Sequence, residues 1–301
     1  MSRPYESALG HMAQRGAAQF RRCARSLAGG LALLAAFCAS PAHAQWPMSV
    51  PATGQSEVIA VKTAANGDTI VAGQFSGLLD FGGQALTAQG LDDVFVARIS
   101  PGGQVRWVRS AGGVSTDSLK AIALDSANSV YLVGSYFSRA RFGGSELVAI
   151  GLNDGYVAKI AFDGTWQWAR SMGGSLQDEA SGVVALPGNA TQIPPIPESV
   201  AVTGTYACAA GFGPDISLNA PTCVEGSRDL FLTRLSVNGD WQWARNRGSA
   251  ASGADRGLHL EKDEFNQVFL VGEGASSPLT TVISDDFAAG NGNWTPDPVD
   301  R

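Results

Sequence analysis

One block of sequence returns along the chain, and that repetition constrains the fold more than any other feature. Trp107 of "GGQVRWVRSAGG" recurs as Trp168, 61 positions on, and as Trp243, 75 further. Asp93 of "DVFVARI" recurs at the same intervals as Asp154 of "DGYVAKI" and Asp229 of "DLFLTRL". Gly73 of "IVAGQF" returns as Gly134 of "YLVGSY" and Gly204 of "AVTGTY", and Gly272 of "VFLVGEG" opens a fourth copy. "DFGG" at 80–83 reappears as "RFGG" at 141–144. Such a period means one supersecondary unit per copy, whose apolar faces are covered only by the neighbouring copies. The copies run over about 56–113, 114–174, 175–248 and, in part, 249–276. The longer third interval contains "PGNATQIPPIPES" (187–199), an insertion rich in Pro and polar residues, and a second widening around Cys208 to Cys223.

Inside each copy the pattern is that of strands. In the second, "KAIALDS" is one strand, a turn follows at Ala127-Asn128, and "VYLVGSYF" is the next. "SELVAIG" is a weaker candidate, and "GYVAKIAF" and "TWQWARS" form a hairpin across Asp163-Gly164. Alternation in "YVAKIAF" predicts a half-buried strand, with Tyr156, Ala158 and Ile160 on one face and Val157 and Lys159 on the other. Gly-Gly, Asp-Gly and Asn-Gly occupy the hairpin turn of the three copies, and such pairs tolerate the positive φ that tight hairpins require. Gly supplies 37 of 301 residues, enough for many tight turns. No helical periodicity follows residue 45. The expectation is an all-β chain of β-propeller blades, each of four antiparallel strands. Three and a half copies fall short of a ring, so the expected object is incomplete or truncated, or completes its ring by self-association.

"GLDDVFVARISPGGQVRWVRSAGG" and "GLNDGYVAKIAFDGTWQWARSMGG" resemble the bacterial SBBP-type beta-propeller repeat. That pattern is an Asp-x-aromatic-Val-Ala-Lys strand, a Gly turn, a Trp-Ala-Arg strand and then Gly-Gly. The resemblance spans roughly 56–276, and the third copy departs from it where Gly-Gly becomes Gly248-Ser249. It implies an exported or surface propeller and no particular activity.

Residues 1–44 read as a signal peptide. Arg15, Arg21, Arg22 and Arg25 precede the apolar "SLAGGLALLAAFCAS", and Ala42 and Ala44 are the small residues before a cut at Gln45. The apolar run is shorter than the roughly 20 residues of a membrane span, and Met12 is an alternative start. Residues 45–55 read as a linker and 277–301 as a tail that opens another module. The whole chain carries −6, and removal of the leader brings it near −10, which repels nucleic acid and anionic membranes. Cys208 and Cys223 remain, either as a disulfide in an oxidising compartment or as two buried thiols.

The candidate chemistry is thin. Trp107, Trp166, Trp168, Trp241 and Trp243 can stack on sugar rings or fill the core between repeats. Each Trp-x-Trp pair, two residues apart, is expected on one side of its strand. Arg109, Arg170 and Arg245 can pair with a blade Asp or a carbonyl, or form a ring of charge. Asp117, Asp178, Asp255 and Glu179 offer oxygens for calcium but lack its usual loop pattern. His259 stands without the partners of a zinc site or a triad. No Gly-x-Ser-x-Gly elbow or phosphate-binding Gly loop is present. No catalytic, metal or cofactor residue is therefore assigned. The expected function is a non-catalytic, exported, periplasmic or surface scaffold that recognises an unknown protein or carbohydrate. A propeller-type lyase or hydrolase of extracellular polysaccharide is the alternative, and a truncated surface protein a third.

Overall fold

The computed structural model describes residues 50–191, 195–220, 223, 226–247, 254–264, 266–274, 277–285 and 295–296. The leader, Trp46, Pro194, Gly248, Ser249 and Trp294 lie outside the described residues.

The described chain is all-β. Copy one contributes β1 (Ser56–Thr63), β2 (Thr69–Phe75), a small hairpin of β3 (Leu78–Asp80) and β4 (Ala85–Thr87), then β5 (Asp93–Ile99) and β6 (Val105–Ala111). Copy two contributes β7 (Asp117–Leu124), β8 (Val130–Phe142), β9 (Ser145–Ile160) and β10 (Trp166–Gly173). Copy three contributes β11 (Glu179–Leu186), β12 (Ser199–Tyr206), the hairpin β13 (Ala209–Phe212) and β14 (Ile216–Asn219), β15 (Asp229–Ser236) and β16 (Trp241–Arg247). The rest forms β17 (Arg256–Lys262), β18 (Val268–Gly274), β19 (Ser277–Asp285) and β20 (Thr295–Pro296). Of the tail expected at 277–301, the described residues are β19, which pairs along β18, and β20, which pairs with β19.

All strand pairs are antiparallel, in the orders β1-β2-β5-β6, β7-β8-β9-β10, β11-β12-β15-β16 and β17-β18-β19-β20. The described sheets join into no closed barrel or ring. "SELVAIG" is no separate strand: it is the first half of β9, paired with the extension of β8 at Arg139–Phe142. In copy three the matching hairpin β13–β14 crosses over and bonds to β10, extending the second sheet to six strands.

The sheets stack face to face. One core joins Ile70, Val94, Val96 and Trp107 of the first sheet to Leu119, Tyr136, Phe142 and Tyr156 of the second. A second joins Tyr131, Val157, Trp168 and Met172 to Val183, Val202, Tyr206 and Phe231 of the third. A third joins Val184, Leu232 and Trp243 to Leu260 and Leu270. The middle sheets are therefore covered on both faces, which corrects the half-buried expectation for "YVAKIAF". Tyr156, Ala158 and Ile160 face the first sheet and Val157 faces the third.

The repeated Gly73, Gly134 and Gly204 share one cause. In β1, β7 and β11 a β-bulge falls opposite each of them. The bulge swings the carbonyl of Glu57, Ser118 or Glu179 so close that a Cβ on the facing Gly would overlap it.

Candidate functional site

The repeated residues meet at the junctions between sheets. Trp107 Nε1 donates to the Phe162 carbonyl, and Trp168 Nε1 to the Val237 carbonyl, each at 3.0 Å. Both acceptors sit in the hairpin turn of the following sheet. The indole lies flat against the turn Gly: a Cβ at Gly164 or Gly239 would be 2.8 Å from the ring of Trp107 or Trp168. These two Gly have φ of 88° and 82°, so the turn needs Gly for its backbone and its neighbour needs Gly for space. Arg109 and Arg170 donate to the carbonyls of Gly164 and Gly239, each at 3.0 Å. Arg98 and Lys159 also reach Phe162 O and Val237 O, while pairing with Asp68 and Asp125. Arg245 lies over the Trp243 ring at 5.9 Å.

The two Trp of each pair do not share a face. A bulge between Trp166 and Trp168 shifts the register by one. Trp166 therefore packs edge-on to Phe142 in the first core, while Trp168 enters the second. The same split puts Trp241 against Phe212 and Trp243 in the third core. Simple alternation cannot see a bulge, which inverts every side chain beyond it.

Asp93 and Asp229 start β5 and β15, Asp154 holds the equivalent place within β9, and all three are buried. Asp117, Asp178 and Asp255, at or just before the next sheet's first strand, are buried beside them. Backbone bonds Asp117 N to Asp92 O, Asp178 N to Asn153 O and Asp255 N to Arg228 O tie the sheets at the same place. The Gly-Gly pairs lie between the carboxylates. Asp117 and Asp178 accept from Gly113 N and Gly174 N at 2.7 Å. A Cβ at Gly112 would lie 2.5 Å from Asp93 Oδ1 and 2.8 Å from Asp117 Oδ2. Burial pushes all of Asp93, Asp154 and Asp229 up, Asp117 to about 7 and Asp178 to about 6.

Cys208 and Cys223 form a disulfide across 15 residues, beside β13. Replacing both with Ser is expected to lower stability by about 3 kcal/mol in the chain-entropy treatment, read from denaturant unfolding. Within the 187–199 insertion Asn189 and Ile196 form an antiparallel bridge, and Glu198 accepts from Ser126 N at 3.1 Å.

A different surface is assembled where the first strands of all four sheets converge. Residues from β1, β7, β11 and β17 line one cavity of about 510 Å³. Its polar groups are Lys62, Thr63, Lys120, His259, Glu261 and Lys262, among small residues such as Ala60, Ala121 and Ala185. Lys120 pairs with Glu179 of the next sheet at 3.2 Å, and His259 Nε2 lies 3.6 Å from Glu261. Sequence reasoning weighed His259 alone and missed the lysines. Their signal was present: Lys62, Ala123, Val184 and Glu261 hold one position in the four strands and all differ. Among the described residues no group of three or more His, Cys, Asp or Glu can hold a metal ion.

The chain matches no protein-family model, and no curated protein matches it. Among solved structures it is similar to a crystal structure of glucose dehydrogenase, at 10% identity and a TM-score of 0.31. That match covers 74% of this chain and 81% of the other.

Proposed function

We propose that this is an exported, non-catalytic β-propeller segment whose blades carry a recognition site for an acidic carbohydrate in the cavity between their first strands. One contrast carries the reading. Positions that repeat are consumed by sheet-to-sheet contacts, with the indoles, arginines and aspartates all engaged at junctions. The polar residues at the cavity fall at positions that differ between copies: Lys62 and Glu261 stand where the other copies have Ala123 and Val184, beside an aliphatic position that does repeat as Val61, Ile122, Val183 and Leu260. Architecture asks for the same residue in each blade, whereas a ligand asks for different ones. The cavity falls within the size range of small-ligand pockets. Its cations outnumber its carboxylates, unlike the acidic chain as a whole. The lysines suit a carboxylated or sulfated sugar, and the apolar walls suit its ring faces. The disulfide supports export, since such bonds persist in oxidising compartments.

A glycan array followed by calorimetry tests this. Acidic oligosaccharides are expected to bind, neutral ones to bind weakly or not at all. Lys62→Glu is expected to weaken binding roughly tenfold, about 1.4 kcal/mol, and added salt to weaken it further. Absence of any glycan or protein ligand reduces the role to scaffold. The lyase or hydrolase reading draws on one observation, the His259–Glu261 pair at the cavity wall. Turnover of a polysaccharide that disappears in His259→Ala would replace recognition with catalysis.

A further inference from the structure

We propose that the junction between the first two sheets is a proton-dependent latch, closed while either Asp93 or Asp117 is neutral and opened when both are ionised. Asp93 is 1% exposed and Asp117 fully buried. Each has one oxygen satisfied by a backbone N–H, from Gln89 and Gly113 respectively. The other oxygen of each, Oδ1, has no hydrogen-bond partner. The two carboxyls approach from opposite sheets across Gly112, whose missing side chain leaves the room for both.

The charged neighbour of this pair adds to its repulsion, and the hydroxyls near it are neutral. From the first sheet Asp92 stands next to Asp93 and adds repulsion. From the second come the hydroxyls of Tyr136, which pairs with Ser171 Oγ at 2.7 Å, and of Tyr156, which is buried and unpartnered. Arg139 and Arg141 come beside Gly113 and Gly112 by their backbones, and their guanidinium groups pair with Glu146. Two ionised carboxylates in such a setting are prohibitive, and one proton relieves the repulsion. A calcium ion would do so too, but it takes 6–8 oxygens, and two free carboxylate oxygens and a phenol fall short.

The second junction is better compensated. Asp178 accepts at both oxygens, from Gly174 N and Ala207 N, and Arg228 lowers its cost of ionisation. The equivalent carboxyl at the first junction lacks both aids, in keeping with its hold on the proton to about 7 against about 6. In the unfolded chain either group ionises near 3.8. Stability from a held proton is complete in acid, below that value, and is lost as pH climbs through the folded value. Between about pH 5.5 and about pH 8, the first junction loses roughly 1.5 pH units' worth of protection and the second roughly 0.5.

Hydrogen exchange on the full chain reads this directly, with intrinsic rates corrected for pH. Protection of the Gly113 and Asp117 amides is expected to fall roughly thirtyfold from about pH 5.5 to about pH 8. Protection of Gly174 and Asp178 is expected to fall roughly threefold. Asp117→Asn, neutral at every pH, should abolish the loss at the first junction, and Asp93→Asn should do the same if the first variant does not fold. Equal protection at both pH values overturns the latch. So does pH dependence that survives either substitution. Protection at about pH 8 that calcium restores, and a chelator removes, assigns the junction to a cation and overturns it as well.

Discussion

Replacing Trp168 with Ala is expected to destabilise the protein by about 3–5 kcal/mol, measured as a fall in the midpoint of urea unfolding at unchanged slope. Four losses coincide at that residue. The indole is 7% exposed in the second core, so its removal leaves a large void between sheets. Its N–H bond to Val237 O disappears. Arg170 loses the ring beneath its guanidinium, and the Gly239 turn loses the surface on which it rests. Trp166→Ala supplies the comparison. That side chain is only partly buried and meets Phe142 at a ring edge, so a smaller loss is expected. Equal effects would mean that the clasp between sheets adds nothing beyond apolar area.

The second large effect needs the smallest change. Gly134→Ala adds one methyl group, yet it should cost more than the 1–3 kcal/mol typical of overpacking. The added carbon would overlap the Ser118 carbonyl and press within 3.0 Å of the Tyr156 ring. Neither obstacle is a flexible side-chain tip. The carbonyl belongs to a bulge that the second sheet shares with its neighbours, so relief requires the first two strands of the sheet to separate. The expected result is loss of soluble folded protein, seen by near-ultraviolet circular dichroism and proteolysis. Gly144→Ala is the control, since no atom lies within 4 Å of the added carbon.

How much of this was legible in the sequence depends on the periodicity of each feature. The strands, their antiparallel hairpins and the equivalence of Trp107, Trp168 and Trp243 follow from spacing, because one residue per copy marks one place in the unit. The reason for Gly73, Gly134 and Gly204 did not follow, because a bulge is a property of the facing strand. The division of Trp166 from Trp168 was hidden by the same device. The meeting of Asp93 with Asp117 was also out of reach, since they belong to different sheets and approach only after stacking. The cavity was hardest of all. Its walls come from β1, β7, β11 and β17, from three different copies and the chain's last sheet, and its polar residues stand where the copies disagree.

The indole clasps have a direction. Trp107 belongs to copy one and its seat to copy two, Trp168 to copy two and its seat to copy three. A ribosome delivers the earlier residue first, so each knob is finished before the socket that will hold it exists. A growing chain therefore always carries one waiting ring at its front edge, satisfied when the next hairpin is made. Assembly in such a chain advances like a ratchet from the N-terminal copy, and a stall between copies leaves an uncovered ring at the edge rather than a finished one.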